Sequence, residues 1–331
     1  MKTRHFFLFI SFLLFFVAAC KKPEKEYKPP KVYTIQPLRI TTTRALFRAT
    51  YIKGSDKITL FGFEWRKISD TIYNKKNVQG NNLDFSFMAN NLDEDTKYTL
   101  RSFIANEDSI WYSNEFSFFT KGTLTDIDGN VYLTLRYGDK VWMTENLRVT
   151  RFANGNPIEG RMKGKNSDMD GPVYYYNDSH SPFFSHPLNL GLLYNWAAAA
   201  KAPDCNTTIP QNPFFPIPIQ GICPKGWHLP HTNEWWELIK CNGNSAVSLK
   251  SENWPEYPTE ANDYSQFSIE PAGCYAWADG GFSNIGEAAL FWTSSNGENQ
   301  AINMQIVSGM SSIGSFNNYK SEGYSVRCVK D

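Results

Sequence analysis

Residues 223–236 read CPKGWHLPHTNEWW. One cysteine, two histidines, a glutamate and three tryptophans share fourteen positions. The stretch is therefore either a reactive or metal-binding cluster or a structural corner. His228, His231 and Glu234 are spaced by three, which would stack them on one helix face. Pro230 opposes that arrangement, because the residue before a proline is pushed out of the helical region. Leu229 is then extended, the helix starts after Pro230, and His228 lies outside it. Thr232 is expected to cap the helix. Glu234 falls in the first turn, where a carboxylate suits the helix dipole, and Trp235, Leu238 and Ile239 make the buried stripe. A zinc site needs a further convergent ligand, and a reactive Cys223 would need a basic or helix N-terminal setting. The stretch reads as a corner: turn, cap, amphipathic helix.

Upstream, the chain opens MKTRHFFLFISFLLFFVAAC. A basic start, a short apolar run at Phe6–Val17 and small residues before Cys20 form a secretory signal over 1–19. The ending Val17-Ala18-Ala19-Cys20 resembles a bacterial lipobox, which implies cleavage before Cys20, its lipidation and a firm membrane anchor. Residues 20–30 are rich in Lys, Glu and Pro and read as an extended tether. Net charge is zero and aromatics make up 15%. That balance leaves no electrostatic footprint for nucleic acid. Five cysteines follow Cys20, at 205, 223, 241, 274 and 328. Export permits disulfides, and the odd number leaves at least one thiol over.

Residues 31–121 alternate apolar and polar side chains in short runs, TRALFRATYI, LFGFEWRK, LDFSFMA, KYTLRSFIA and EFSFFT, separated by polar turns. This is strand periodicity at sandwich spacing. NLDEDTKYTLRSFIAN resembles the tyrosine-corner segment of fibronectin type III domains. The resemblance implies that Tyr98 packs inward while its hydroxyl bonds backbone upstream.

After Lys121-Gly122-Thr123 the character changes. VYLTLRYG and KVWMTENL read as a hairpin with Gly138-Asp139 at its tip. Two Asp-x-Asp-Gly turns occur, at 126–129 and 168–171. Neither completes a calcium loop, so no metal is expected. Asp126, Asp128, Asp168 and Asp170 are the candidate ligands should calcium bind. In LGLLYNWAAAAKAP, Leu192, Leu193, Trp196 and Ala199 suit one helix face, with Pro203 ending it. Residues 206–220 read as an irregular loop. Glu256, Glu260 and Asp263 offer acids for a glycosidase-like pair, although loop carboxylates are usually just solvated. The glycines at 280, 281 and 286 lack the strand–helix setting of a nucleotide loop, and no cofactor motif is found.

Taken in order, DIDGNVYLTL…VWMTENLRV, GLLYNWAAA, GICPKGWHLPHTNEWWEL, FWTSS and GYSVRCVKD resemble the Fibrobacter succinogenes major paralogous domain over nearly all of 123–331. The GWHLP…EW block also resembles part of the formylglycine-generating sulfatase-modifying fold, itself related to C-type lectins. The resemblance implies a multidomain chain: an all-β fibronectin type III-like sandwich, then a loop-rich α+β C-type-lectin-like domain. Cys223 and Cys328 are the two cysteines in family blocks, and their disulfide is the leading pairing. Cys205–Cys223 and Cys241–Cys274 remain open. Catalytic cysteines of the sulfatase-modifying enzymes and the lectin calcium motifs find no match, so neither activity is carried over with the fold.

The expected function is that of a lipid-anchored, non-catalytic binding or adhesion protein of the bacterial outer membrane, at its cell-surface or periplasmic face. Its ligand would be a glycan or a surface protein, with Trp254, Tyr257, Trp277, Trp292 and Tyr319 as candidate stacking residues. The alternatives are an enzyme using residues 228–234 and a purely structural surface component.

Overall fold

The computed structural model describes residues 26–80, 83–161, 171–176, 190–210, 217–254, 262–276 and 278–331. Cys20, Tyr257, Trp277, Asp168, Asp170, Glu256 and Glu260 lie outside them. The chain is mostly β-structure.

Residues 31–119 supply two sheets. One contains β1 (Lys31–Leu38), β2 (Ala45–Ile52) and β5 (Asp84–Ala89) in the order β1-β2-β5. The other runs β4 (Asn74–Val78), β3 (Leu60–Lys67), β6 (Lys97–Ala105), β7 (Ile110–Tyr112), with β8 (Phe116–Phe119) also on β6. The alternation read from the sequence is the reason they pack. Ala45, Phe47, Ala49 and Tyr51 of β2 all point inward, as a period of two requires. Phe47 is the hub. Its ring lies 5.4 Å from Trp65, 5.7 Å from Phe118 and 5.8 Å from Phe63, and edge-to-face or tilted contacts of this kind add to area burial. Tyr98 is buried against Phe118, and its hydroxyl accepts the backbone N–H of Asp93 at 2.9 Å.

Residues 122–330 surround separate cores. The first of their sheets has the order β15-β21-β11-β10-β9. Its members are β9 (Gly122–Thr125), β10 (Val131–Tyr137), β11 (Lys140–Met143), β15 (Trp227–His228) and β21 (Val329–Lys330). The hairpin turns where the sequence places it: Tyr137 pairs with Lys140, and Gly138 takes the positive φ of the tip. Three smaller sheets follow: β12 (Glu159–Arg161), β13 (Val173–Tyr176) and β14 (Leu192–Tyr194); β16 (Cys274–Ala276) and β17 (Gly281–Ser283); and β18 (Ala288–Asn296), β19 (Gln300–Val307) and β20 (Gly314–Tyr319). β18 contributes to both large cores. Ala288, Leu290 and Trp292 enter one, while Ala289 and Phe291 enter the other.

Helices are short. The expected helix over 192–202 is confined to α1 (Trp196–Ala200), and Leu192–Tyr194 form β14 instead. Asn195 explains the boundary. Its side-chain oxygen accepts from Ala198 N–H at the helix start and from Val173 N–H on β13. One amide thus caps the helix and fastens it to the sheet. The end is set by Lys201 in the left-handed region, before Pro203 is reached. The second helix, α2 (Thr232–Cys241), buries Trp235, Leu238 and Ile239.

Because Phe47 touches both sheets of the N-terminal sandwich, Phe47→Ala is expected to lower unfolding free energy by about 3–5 kcal/mol. Urea denaturation measures it, and a loss below about 1 kcal/mol contradicts the hub assignment.

Candidate functional site

The corner at residues 223–236 is where most sequence-flagged chemistry converges. Gly221 opens it at φ 58°. A Cβ there would meet the Ala199 carbonyl oxygen at 2.1 Å, so only glycine lets the segment cross the end of α1. Cys223 and Cys328 are joined in a disulfide with Cα atoms 5.9 Å apart. Cys205 and Cys274 are buried and Cys241 is exposed, all three outside this disulfide. Beyond the disulfide, Trp227 and His228 form β15 against β21.

His231, not Thr232, caps α2. Its Nδ1 accepts the Asn233 N–H at 3.2 Å, and Glu234 accepts the His231 N–H at 2.9 Å. This reciprocal pair is a capping box with imidazole in place of a hydroxyl. Thr232 instead directs its hydroxyl to Ser295 Oγ at 2.7 Å. Burial, only partly opposed by Glu234, holds the His231 ring below its usual pKa, which suits an acceptor nitrogen.

His228 is the opposite case. Its Nδ1 lies 2.7 Å from Asp331 Oδ1, and its Nε2 lies 3.0 Å from Glu234 Oε1. Burial disfavours the charged ring, but the bonds and charge of Glu234 and Asp331 outweigh it and raise the pKa. A carboxylate oxygen stands at each ring nitrogen, an arrangement that favours the protonated ring. Burial alone would raise Glu234; His228, the His231 N–H and Lys140 at 3.0 Å reverse this and bring it to about 2. Both ring nitrogens of His228 are engaged by carboxylates of the chain itself. The carboxylate of Glu234 is equally taken up. A pocket of 270 Å³ opens beside this clasp, bordered by Lys140, Ile217, His231, Asn233 and Glu237. Sequence reasoning missed Asp331 and Lys140, which are 103 and 94 positions from their partners and carry no local signal.

The other candidates separate clearly. Asp126 accepts from the Asp128 and Asn130 N–H groups, Asn130 Nδ2 and the Tyr132 hydroxyl. Asp128 accepts from the Thr150 N–H and hydroxyl and from Arg151 Nε. Burial would raise Asp128, but Thr150 and Arg151 hold it low. Both carboxylates tie their own turn to its neighbours. Among the described residues no group of three or more His, Cys, Asp or Glu is arranged to hold a metal. Asp263 bonds the Ser268 N–H and hydroxyl, and burial raises its carboxyl to about 6; it braces a loop rather than facing a bound sugar.

Two stacking candidates are also corrected. Trp254 is 5% exposed and its indole N–H donates to the Ile269 carbonyl; Trp292 is fully buried and donates to that of Tyr194. Both are core residues. Tyr319 is 61% exposed on β20. Trp236, which the sequence reading passed over, is 41% exposed. Its signal was available: adjacent helix positions differ by about 100°, so Trp235 and Trp236 cannot both face the core. Phe316 of β20 is 51% exposed.

Residues 135–330 match the family model described as the Fibrobacter succinogenes major domain. No curated protein matches the chain. Among solved structures, the chain is similar to the sensor domain of the anti-sigma factor RsgI4 in Pseudobacteroides cellulosolvens. They are 16% identical, with a TM-score of 0.25, covering 28% of this chain and 94% of that one. It is also similar to a computer-redesigned β-sandwich protein, at 18% identity and a TM-score of 0.23, over 27% of this chain and 93% of that one.

Two outcomes test the corner. The disulfide closes a separation of 105 residues, so Cys223→Ser with Cys328→Ser should cost about 4 kcal/mol by urea denaturation; an unchanged midpoint contradicts it. The clasp has a signed pH dependence. A base raised above its unfolded 6.5 stabilises fully below that pH and less as pH rises through its folded pKa. An acid depressed from 4.5 to about 2 stabilises above 4.5 and loses this as pH falls. The stability gap between the chain and Glu234→Gln should therefore be widest from pH 4.5 to 6.5, at roughly 3 kcal/mol. It should narrow on both sides, and a pH-independent gap contradicts the clasp.

Proposed function

Because the chain belongs to the Fibrobacter succinogenes major domain family, we propose that it is an exported bacterial lipoprotein that binds a ligand at the cell surface without catalysis. In this reading residues 1–19 are removed, Cys20 carries the acyl chains in the outer membrane, and residues 20–30 are the tether. Residues 31–121 are a fibronectin type III-like spacer. Residues 123–331 are a C-type-lectin-like domain that carries the ligand surface.

One contrast carries the proposal. The acid–base and candidate metal-ligating groups at the corner and the 126–129 turn are consumed in internal hydrogen bonds, while Trp236, Phe316 and Tyr319 remain at the surface. Such a surface suits adhesion by ring faces rather than chemistry by charged groups. A glycan is the first ligand class, because an exposed indole or phenol offers a flat apolar face with a polar edge. A surface protein is the second, favoured by β20, where Phe316 and Tyr319 lie on one outer strand.

A glycan array probed with purified residues 21–331, in calcium and in chelator, tests the reading. Binding to a defined sugar is expected to fall about tenfold or more in Trp236→Ala or Tyr319→Ala, in line with the loss of one aromatic anchor. Calcium should make no difference. Silence of a demonstrably folded protein across the array rejects the glycan ligand, and surface cross-linking then identifies a protein one.

A further inference from the structure

The segment 262–268, NDYSQFS, is strained and over-determined. Asp263, Gln266 and Ser268 all take positive φ, at 42°, 59° and 56°. Non-glycine residues held there are unfavourable and persist only where their surroundings enforce them. The enforcing contacts come from two directions.

From the C-terminal part, Phe267 is fully buried, with its ring 5.6 Å from Tyr137 and 5.8 Å from Trp142. The Arg327 guanidinium donates to the Phe267 and Ser268 carbonyls. The Tyr137 hydroxyl donates to the Ser265 carbonyl at 2.8 Å. Inside the loop, Asp263 accepts from Ser268 twice. These bonds fix the backbone and leave the Gln266 side chain and the Tyr264 carbonyl facing outward.

Both outward groups meet the N-terminal sandwich. Gln266 Oε1 accepts the N–H of Ile40 at 3.1 Å, and Gln36 Nε2 donates to the Tyr264 carbonyl at 2.7 Å. Ile40 belongs to the sandwich core. Its N–H lies just past β1, in a buried position where an unpaired donor is costly. The covalent connection is equally constrained. Only Thr120 and Lys121 separate β8 from β9. Thr120 N–H donates to Thr96, Lys121 N–H donates to Thr41, and the Lys121 side chain is buried among Asp263, Glu145 and Arg327.

We propose that loop 262–268 is a preformed clasp that locks the N-terminal sandwich onto the C-terminal part, so that the two move as one rigid body. The strain is located at the joint: Arg327 and Tyr137 hold the loop backbone from the C-terminal part, and Gln266 and the Tyr264 carbonyl reach across. The membrane-proximal and ligand-bearing ends proposed above would then hold a fixed mutual orientation, although the clasp stands on its own contacts and does not depend on what the protein binds.

The Ile40 amide reports directly on the clasp, because its acceptor is the Gln266 side chain. Native-state hydrogen exchange of the purified protein should show Ile40 protected to the level of the β2 amides. Gln266→Ala should speed its exchange by tenfold or more, while the Asp93 amide, bonded to Tyr98 within the sandwich, keeps its rate. Gln36→Ala, a change at an exposed bond, should accelerate Ile40 to a smaller degree without unfolding the chain. Small-angle scattering should fit one rigid shape for the protein and a broader distribution for the Gln36→Ala, Gln266→Ala double variant. An Ile40 amide that exchanges at the unstructured rate in the unmodified protein overturns the proposal. So does a double variant whose scattering matches it.

Discussion

The Cys223–Cys328 disulfide is the constraint on which the C-terminal part depends. The last strand, β21, is two residues long; it pairs with β11 at Trp142↔Val329 alone and with β15 at Trp227↔Lys330 and His228↔Val329. A ladder that short cannot hold a chain end against its conformational entropy. The disulfide fixes the residue next to it, and two polar residues complete the hold. On one side Arg327 reaches Asn146, Phe267 and Ser268. On the other, Asp331 reaches His228. The corner, the terminal strand and loop 262–268 are therefore one connected assembly, built through Arg327, Cys328 and Asp331 of the sequence SVRCVKD.

Buried cations play a recurrent part. Arg327 is fully buried, and burial lowers its pKa to about 10, which leaves it charged at neutral pH. Lys320 is also fully buried. Its ammonium donates to the carbonyls of Thr207, Gly297 and Glu298 and lies 4.4 Å from the centre of the Trp196 ring. A desolvated cation is costly unless its donors are satisfied. Here backbone carbonyls of loops do that, so each cation organises segments that have no ladder of their own. In a chain with only fifteen described helical residues, five in α1 and ten in α2, these contacts hold the described loops around Thr207, Phe267 and Gly297 in place.

The sequence made the N-terminal strands legible because a period of two is local, and β2 alternates without exception from Ala45 to Tyr51. The hairpin tip was legible because Gly138 needs positive φ. The start of α1 was not. Apolar spacing from Leu192 onward suits helix, yet Asn195 bonds across to Val173 and ends the strand there, a long-range contact that periodicity cannot show. The same limit applies at the corner. Pro230 placed the helix start and excluded a helical His228, but the carboxylates that occupy its ring come from residues 234 and 331. Aromatic exposure was the least legible feature. Trp292 looks like any other tryptophan until β18 is seen to pass between two cores.

The most direct test of the corner as a structural clasp rather than a reactive site is the protonation state of His228, read by nitrogen-15 NMR of its imidazole across pH 5 to 9. Both ring nitrogens should carry protons at pH 6.5, with the midpoint above the ordinary histidine value of 6.5. A midpoint at or below that value, with one nitrogen unprotonated near neutral pH, would mean a ring free to take a proton or a metal, and would contradict the account.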